Sequence, residues 1–366
     1  MSADLVIVLT AILVSVASAL VGTFLVLRRM ALLADAISHA VLPGIVLAYW
    51  LSGGGRATPT ALLGAAAAGL VTVTLVEWLT RSGKVKNDAA IGIVFPALFS
   101  LGVLVVSLYF RQVHLDLDAV LYGEIAYAPF NTLTLWGQEI PESWLMMGSL
   151  TLLNLLFVLL FYKELKLSTF DPGLAAALGF APGALHYGLM TLVSLTSVGA
   201  FQSVGAILIV AFLIIPPATA YLLTQRLPVM LGLAVGVGVV SSLVGYGLAI
   251  WFDASIAGMM ATVAGVCFAL AFLFSPLEGL LTTRLRRKAE RLEVAARLLV
   301  AHLAHHDQAV SDQEVLEEFG WNPRFLQQAK EKALQAGWLE VFQEGLRPSP
   351  AGLAIVASRA PHKKCL

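Results

Sequence analysis

Apolar residues run along this chain in blocks of about twenty, and polar positions collect in the gaps between them. A helix needs roughly 20 mainly apolar residues to cross the ~30 Å hydrocarbon layer of a bilayer. The pattern predicts nine such helices, at about 5–27, 32–51, 59–80, 88–109, 144–162, 184–200, 203–224, 229–251 and 255–275. The stretch 184–224 is about twice the needed length and is split at Gly199–Gly205. If one segment dips into the bilayer without crossing, the count is eight. The first block follows Met-Ser-Ala-Asp with no basic region before it, so it reads as a retained helix and not a cleaved signal peptide. Beyond Leu280 the long apolar blocks stop. Leu292, Ala296, Leu299 and Leu303 recur there at three or four, the spacing of an amphipathic helix over 290–305.

Composition makes the membrane reading compulsory. The chain has 366 residues, 58% hydrophobic and 13% charged, with a mean hydropathy of +0.84 and zero formal net charge. Soluble domains carry about 25% charged residues. A water-soluble globule, a disordered chain, a disulfide scaffold and a nucleic-acid binder driven by bulk charge are all excluded. The neutrality is a cancellation. Residues 1–280 hold 10 Lys/Arg against 13 Asp/Glu, whereas the last 86 hold 13 against 10. The chain is therefore an apolar body over 1–280 followed by a polar tail, a second domain over 285–366. Cys267 and Cys365 lie far apart and imply no disulfide.

Charge also orients the body. With the N-terminus outside, the inner loops hold Arg28, Arg29, Arg81, Lys84, Lys86, Lys163, Lys166 and Arg226, against Arg56 and Arg111 outside. This asymmetry puts the tail in the cytoplasm. The Gly199–Gly205 split agrees, because one long helix there would put Arg226 and the tail outside. The outer loop 110–143 sets Arg111 against Asp116, Asp118, Glu124, Glu139 and Glu142, a net −4 that would attract cations or simply be solvated. Small residues at Gly64–Gly69 and at Gly232-x-x-x-Gly236 read as close helix packing. Pro43, Pro96, Pro216 and Pro217 fall inside apolar runs and should kink or break helices, freeing carbonyls that in transporters can line a pathway.

Asp35 and His39 are the most informative polar pair. Four apart on a predicted helix, they project from one face about 6 Å apart along its axis. Carboxylate plus imidazole suits divalent zinc, manganese or iron, and two ligands suit transient binding or completion by a symmetry mate. The spacing leaves a proton relay open, and so does it leave a surface pairing of Asp35 with Arg28 or Arg29. Glu77, Asp88, Asp253 and Glu278 sit at span ends, where interfacial water accounts for them, and His186 beside the inner loops reads as structural. Gln202 falls at the proposed outer turn, where its carbonyl could face a pathway. In the inner loop, Asp171-Pro172 is a helix start, with Asp as cap and Pro in the first turn, and Gly179 stops that helix after two turns. No Walker A pattern occurs, so an ATPase, if there is one, is a separate chain.

Three segments carry a resemblance: Arg29-Met-Ala-Leu-Leu-Ala-Asp-Ala-Ile-Ser-His-Ala-Val-Leu-Pro-Gly44, Phe170-Asp-Pro-Gly-Leu-Ala-Ala-Ala-Leu-Gly179, and Val204-Gly-Ala-Ile-Leu-Ile-Val-Ala-Phe-Leu-Ile-Ile-Pro-Pro-Ala-Thr-Ala220. Over 1–280 the chain resembles the permease subunits of bacterial ABC importers for manganese, zinc and iron. The resemblance implies a dimer with a second copy or a paralogue around a shared pathway, with Asp35 and His39 of each subunit forming a transient metal site. Gln202, Pro216 and Pro217 are secondary pathway candidates. It also implies that the helix with Asp171, Pro172, Leu178 and Gly179 couples to the ATPase subunit, and that an extracytoplasmic metal-binding protein docks outside. The outer loop is longer than the family pattern around Ala128–Glu142.

The tail has its own pattern. Ser311-Asp-Gln-Glu314 is a capping box, Asn322-Pro323 opens a helix to about Ala336, and Gly337 closes it. Trp338–Val341 and Gly345–Pro350 read as a short wing before a last helix. This is similar to the winged helix-turn-helix of iron-dependent repressors. Arg324, Lys330 and Lys332 are opposed by Glu331 and Glu340, so no basic stripe supports DNA binding, and a dimerisation or regulatory module is the better reading. His302, His305, His306 and Asp307 have the spacing of a regulatory metal site or of solvated helix-end histidines.

The sequence thus predicts an all-α polytopic membrane protein of about 8–9 transmembrane helices with a small cytoplasmic winged helix-turn-helix domain, in the bacterial inner membrane. It is not an enzyme and holds no permanent cofactor. It imports a divalent transition metal by alternating access, Mn²⁺ ahead of Zn²⁺ or Fe²⁺. The rival readings are a proton-coupled secondary metal transporter and a membrane-tethered metal-responsive regulator.

Overall fold

The structure, a computed structural model, describes residues 2–40, 42–51, 58–109, 125–135, 138–277, 279–305, 310–342 and 345–357; for some of these, Asp35, His39 and Gln202 included, it describes the backbone alone. Two compact units emerge, 1–277 and 278–366. The first comprises α1 (Ala3–Leu27), α2 (Ala31–Ala40), α3 (Leu42–Leu51), α4 (Thr58–Arg81) and α5 (Asn87–Tyr109), then a short 3₁₀ turn (Ile125–Tyr127) and the hairpin β1 (Thr132–Leu135) and β2 (Gln138–Pro141). It continues with α6 (Glu142–Leu160), α7 (Tyr162–Phe170), α8 (Pro172–Ala177), α9 (Pro182–Val204), α10 (Ala206–Leu223), α11 (Leu227–Phe252) and α12 (Ile256–Phe274).

The apolar blocks become helices because a backbone in hydrocarbon must satisfy its own hydrogen bonds. Among the described residues seven helices are long and apolar enough to cross: α1, α5, α6, α9, α10, α11 and α12. That is fewer than the eight or nine expected. The expected span 32–51 falls on α2 and α3, which lie on either side of position 41, a position outside the described residues. The expected turn before Ala206 is present: Gly205, at φ 83°, caps α9 and opens α10.

α1 is the hub. It packs against α6, α9, α10 and α11, while α10 also packs against α11 and α12. α2, α3, α4 and α5 form a second group, joined to the first through α9 and α10. Glycines set the closest approaches. A Cβ on Gly44 would collide with the Gly64 carbonyl, and one on Gly64 with the Gly44 carbonyl, so α3 and α4 touch backbone to backbone. Gly232 and Gly236, expected at an interface, have open space around them; on α11 the tight positions are Gly238, against Ser15, and Gly245, against Met260.

Neither Pro96 in α5 nor the pair Pro216-Pro217 in α10 ends its helix, contrary to a break at those sites. The cost is met by packing. Pro217 cannot bond the Leu213 carbonyl four residues back, and that oxygen is covered by Gly22 of α1, whose missing side chain leaves it room. A Cα–H···O contact is the natural replacement.

The second unit comprises α13 (Leu280–His305), α14 (Asp312–Phe319), α15 (Pro323–Gln335), β3 (Leu339–Phe342), β4 (Gly345–Pro348) and α16 (Pro350–Ala357). α13 begins ten residues earlier than its apolar spacing predicts. The added turns are rich in strong helix formers and carry Arg286–Glu290, an ion pair four apart. Ser311 and Glu314 make the expected capping box, and the Asn322 side chain accepts from the Arg324 N–H. Ala296, Leu299, Val300, Leu303, Val315, Leu326, Ala333 and Leu339 form one core. β3 and β4 are antiparallel, with Leu339 opposite Pro348 and Phe342 opposite Gly345.

Candidate functional site

The side-chain bonds between helices sort the first unit into two ends. At one end Thr10 and Ser143 share a hydrogen bond of 3.0 Å, Trp144 Nε1 donates to the Val6 carbonyl at 3.3 Å, and Tyr246 donates to Asp4 at 2.7 Å. At the other end lie Arg28, Glu77, Arg81, Ser168, Thr169, His186 and Tyr187. This second end includes two of the arginines assigned to the inner loops.

Asp35 and His39 both stand on α2, four positions apart. The described neighbours fix which side of α2 is packed: Leu33, Ala36, Ile37 and Ala40 are all 2% exposed or less. At 100° per residue, positions 35 and 39 lie about 40° apart around α2, so both stand on one side of the helix. Pro43 and Leu47 of α3, with Leu63 of α4 and Leu98 of α5, line an open apolar groove.

α2 is launched from a built turn. Arg28 caps α1, and Arg29 takes a left-handed conformation at φ 58°, unusual for a residue with a Cβ. The N–H groups of Arg28, Arg29 and Met30 bond the carbonyls of Phe24, Val26 and Leu25, which closes the end of α1 in the manner of a Schellman motif. The Arg28 side chain turns into the protein. Its Nε donates to Thr169 Oγ1, Nη2 to Ser168 Oγ and Nη1 to His186 Nδ1, each at 3.2 Å. Burial pulls this guanidinium down from its ordinary pKa, which is so high that the group stays charged.

A guanidinium has only donors, so His186 Nδ1 must accept and Nε2 carries the ring proton. Nε2 sits 2.7 Å from Glu77 Oε1 on α4. Glu77 Oε2 in turn accepts from the Tyr187 hydroxyl at 2.9 Å and from Arg81 Nη2 at 3.2 Å. The array connects α1, α4, α7 and α9. Reading along the chain assigned Glu77 to interfacial water and His186 to structure. It missed the array, because residues 28, 77, 168 and 186 meet only in space; their shared place near span ends assigned to the inner side was the one available signal.

The inner-loop helix is α8. The Asp171 side chain accepts from the Leu174 N–H at 2.9 Å, Pro172 starts the first turn, and Gly179 at φ 87° ends it. Leu178 is the C-cap. Phe170, Leu174, Leu178 and Phe180 are exposed along this segment, an apolar surface on a polar loop.

The remaining candidates do not converge on either place. Gln202 is in the last turn of α9, with its side chain outside the described residues. Pro216 and Pro217 are buried in α10. In the second unit His302 is buried, with its ring edge-on to Phe319 and Nε2 3.4 Å from Glu318 Oε2. His305 Nδ1 is 2.8 Å from its own helix's Ala301 carbonyl. His306 lies outside the described residues. Among the described residues, no group of three or more His, Cys, Asp or Glu is arranged to hold a metal. Arg111, Asp116, Asp118 and Glu124 also lie outside the described residues. The segment Ala128–Glu142, expected as an outer-loop extension, contains the β1–β2 hairpin, with Leu133 opposite Ile140.

Known proteins share this architecture. The chain is 46% identical over 359 residues to the zinc transport system membrane protein TroD of Treponema pallidum, covering 96% of this chain and 98% of that one, so the match takes in most of the tail. It is 49% identical over 287 residues to the manganese transport system membrane protein MntD of Bacillus subtilis, covering 78% and 97%. Among solved structures, PsaBC of Streptococcus pneumoniae in complex with a Fab superposes with a TM-score of 0.63 at 32% identity, covering 76% of this chain and 94% of that one. A family model described as the ABC 3 transport family matches residues 5–275, the whole of the helical bundle, and the chain belongs to that family, as a non-catalytic, multi-pass membrane permease of bacteria.

Proposed function

We propose that this permease carries a divalent transition metal inward, manganese or zinc ahead of iron, with Asp35 and His39 as its transient ligands. The observation that carries the reading is their position. An ionisable pair on one side of a membrane helix is costly against lipid, and a second permease facing it across a central pathway would cover it. Two such pairs would offer two carboxylates and two imidazoles, a donor set suited to these metals and weak enough per subunit to release them. The manganese and zinc systems named for its relatives support this cargo.

An ATPase subunit supplies the energy and docks on α8, whose exposed Phe170, Leu174, Leu178 and Phe180 offer an apolar surface. With Arg28 and Arg81 at the inner end, the tail is cytoplasmic and the β1–β2 end faces outside, where a metal-binding protein delivers the ion. The order of elements in the tail, three helices and then a hairpin and a helix, supports a winged helix-turn-helix in a regulatory or dimerising role.

The test is uptake of labelled manganese and zinc into cells lacking the chain and complemented with variants. Asp35→Ala and His39→Ala should each lower uptake at least tenfold while leaving the protein's membrane abundance unchanged. Wild-type uptake by both variants would refute the assignment. Uptake that survives loss of the ATPase but collapses with the proton gradient would favour a secondary transporter.

A further inference from the structure

Arg28 is where the cytoplasmic segment and the helix bearing Asp35 meet. Its side chain holds Ser168 and Thr169, three and two residues before the cap of α8, and also His186, four residues into α9. The same residue therefore grips the chain on both flanks of α8. Its backbone closes α1 and leads through the left-handed Arg29 into α2, where Asp35 follows seven residues after Arg28. On the far side His186 passes the contact to Glu77 of α4, which also holds Tyr187.

Such an array resists being pulled apart. Arg28, His186 and Glu77 are largely shielded from water, so a partner lost in motion is not replaced cheaply by solvent. A displacement of the α7–α8–α9 segment thus takes Arg28 along. Arg28 is one bond from the strained residue that sets the direction of α2. Packed elements of this kind switch between discrete arrangements and do not bend continuously.

We propose that Arg28, His186 and Glu77 are positioning residues for transport: they convert movement of α8 into reorientation of α2, and so tie exposure of the Asp35/His39 site to ATP hydrolysis. This rests on the reading that the ATPase docks on α8, and the experiment separates the two.

The permease is reconstituted with its ATPase in proteoliposomes, and ATP hydrolysis and manganese uptake are measured on the same vesicles. Arg28→Gln and the isosteric Glu77→Gln should assemble and hydrolyse ATP within about twofold of wild type, while ions moved per ATP fall at least tenfold. Arg28→Lys, which keeps the charge, should recover part of that ratio. If the array only holds the fold, hydrolysis and uptake will fall together with the thermal midpoint, and the ratio will stay constant; that result overturns the proposal. A ratio within twofold of wild type in both Gln variants overturns it as well. Leu178→Asp reports on the underlying reading. It should abolish ATPase binding if α8 is the dock, and leave binding and hydrolysis intact if it is not.

Discussion

Gly22 and Gly232 are the same residue type in helices of similar hydropathy, and their surroundings predict opposite behaviour. A methyl group on Gly22 would meet the Leu213 carbonyl and the Pro217 ring, whereas nothing lies within 4 Å of the place a Cβ would take on Gly232. Gly22→Ala should therefore destabilise the bundle by about 1–3 kcal/mol through overpacking. Gly232→Ala should be neutral or stabilising by up to about 1 kcal/mol, since alanine is the better helix former. Thermal unfolding of the purified protein in detergent checks both, and equal shifts would contradict the packing described. The difference could not be read from residue type. Gly232-x-x-x-Gly236 has the spacing of an interface motif but faces open space, whereas Gly22 has no motif and sits under a carbonyl that a distant proline has stripped of its partner. Asn154 makes the same point. Fully buried, it donates to the Ala17 carbonyl and to Thr196 Oγ1, linking α6 to α1 and α9 through contacts no periodicity announces.

Elements were more legible than contacts, and the reason is local chemistry. Asp171-Pro172 opens α8, Ser311 and Glu314 cap α14, and Gly205 divides α9 from α10, because each signal acts within four residues of itself. Which face of a helix packs was hidden in most of the bundle, since a helix apolar all round carries no stripe to mark its neighbours. α8 itself is open to a direct test. At six residues it is too short to be stable alone, and its cap matters in proportion. Asp171→Ala should cost about 1 kcal/mol, roughly a fivefold loss in the ordered population of α8. Recovery of the ATPase with tagged permease should fall by a similar factor, and undiminished recovery would show that the cap is dispensable for docking.

The molecule as a whole joins two kinds of chain, a bundle whose solvent is lipid and a tail with a water-facing surface and a core of its own. The change from sparse to dense charge near Leu280 made this division readable. What joins distant spans, above all the meeting of Arg28, Glu77 and His186, is set only by the folded chain. The bonds at the two ends of α1 carry a mechanical consequence. α1 is tied to α6 and α11 near its first residues and to α7 and α9 at its last turn, about 36 Å apart from Asp4 to Arg28. A rod pinned at both ends behaves as an axle: the body can turn about it, but the rod does not flex. Relative motion would then fall to the segments around it, α7–α9 and α2–α5, the latter holding the bare backbone crossing of α3 and α4. Thr10 and Ser143, their hydroxyls 3.0 Å apart, offer a way to weld the outer bearing. In a variant freed of native cysteines, a disulfide between Thr10→Cys and Ser143→Cys should leave metal uptake within twofold of the reduced form. A transporter stalled by that weld would mean that α1 is a moving part after all.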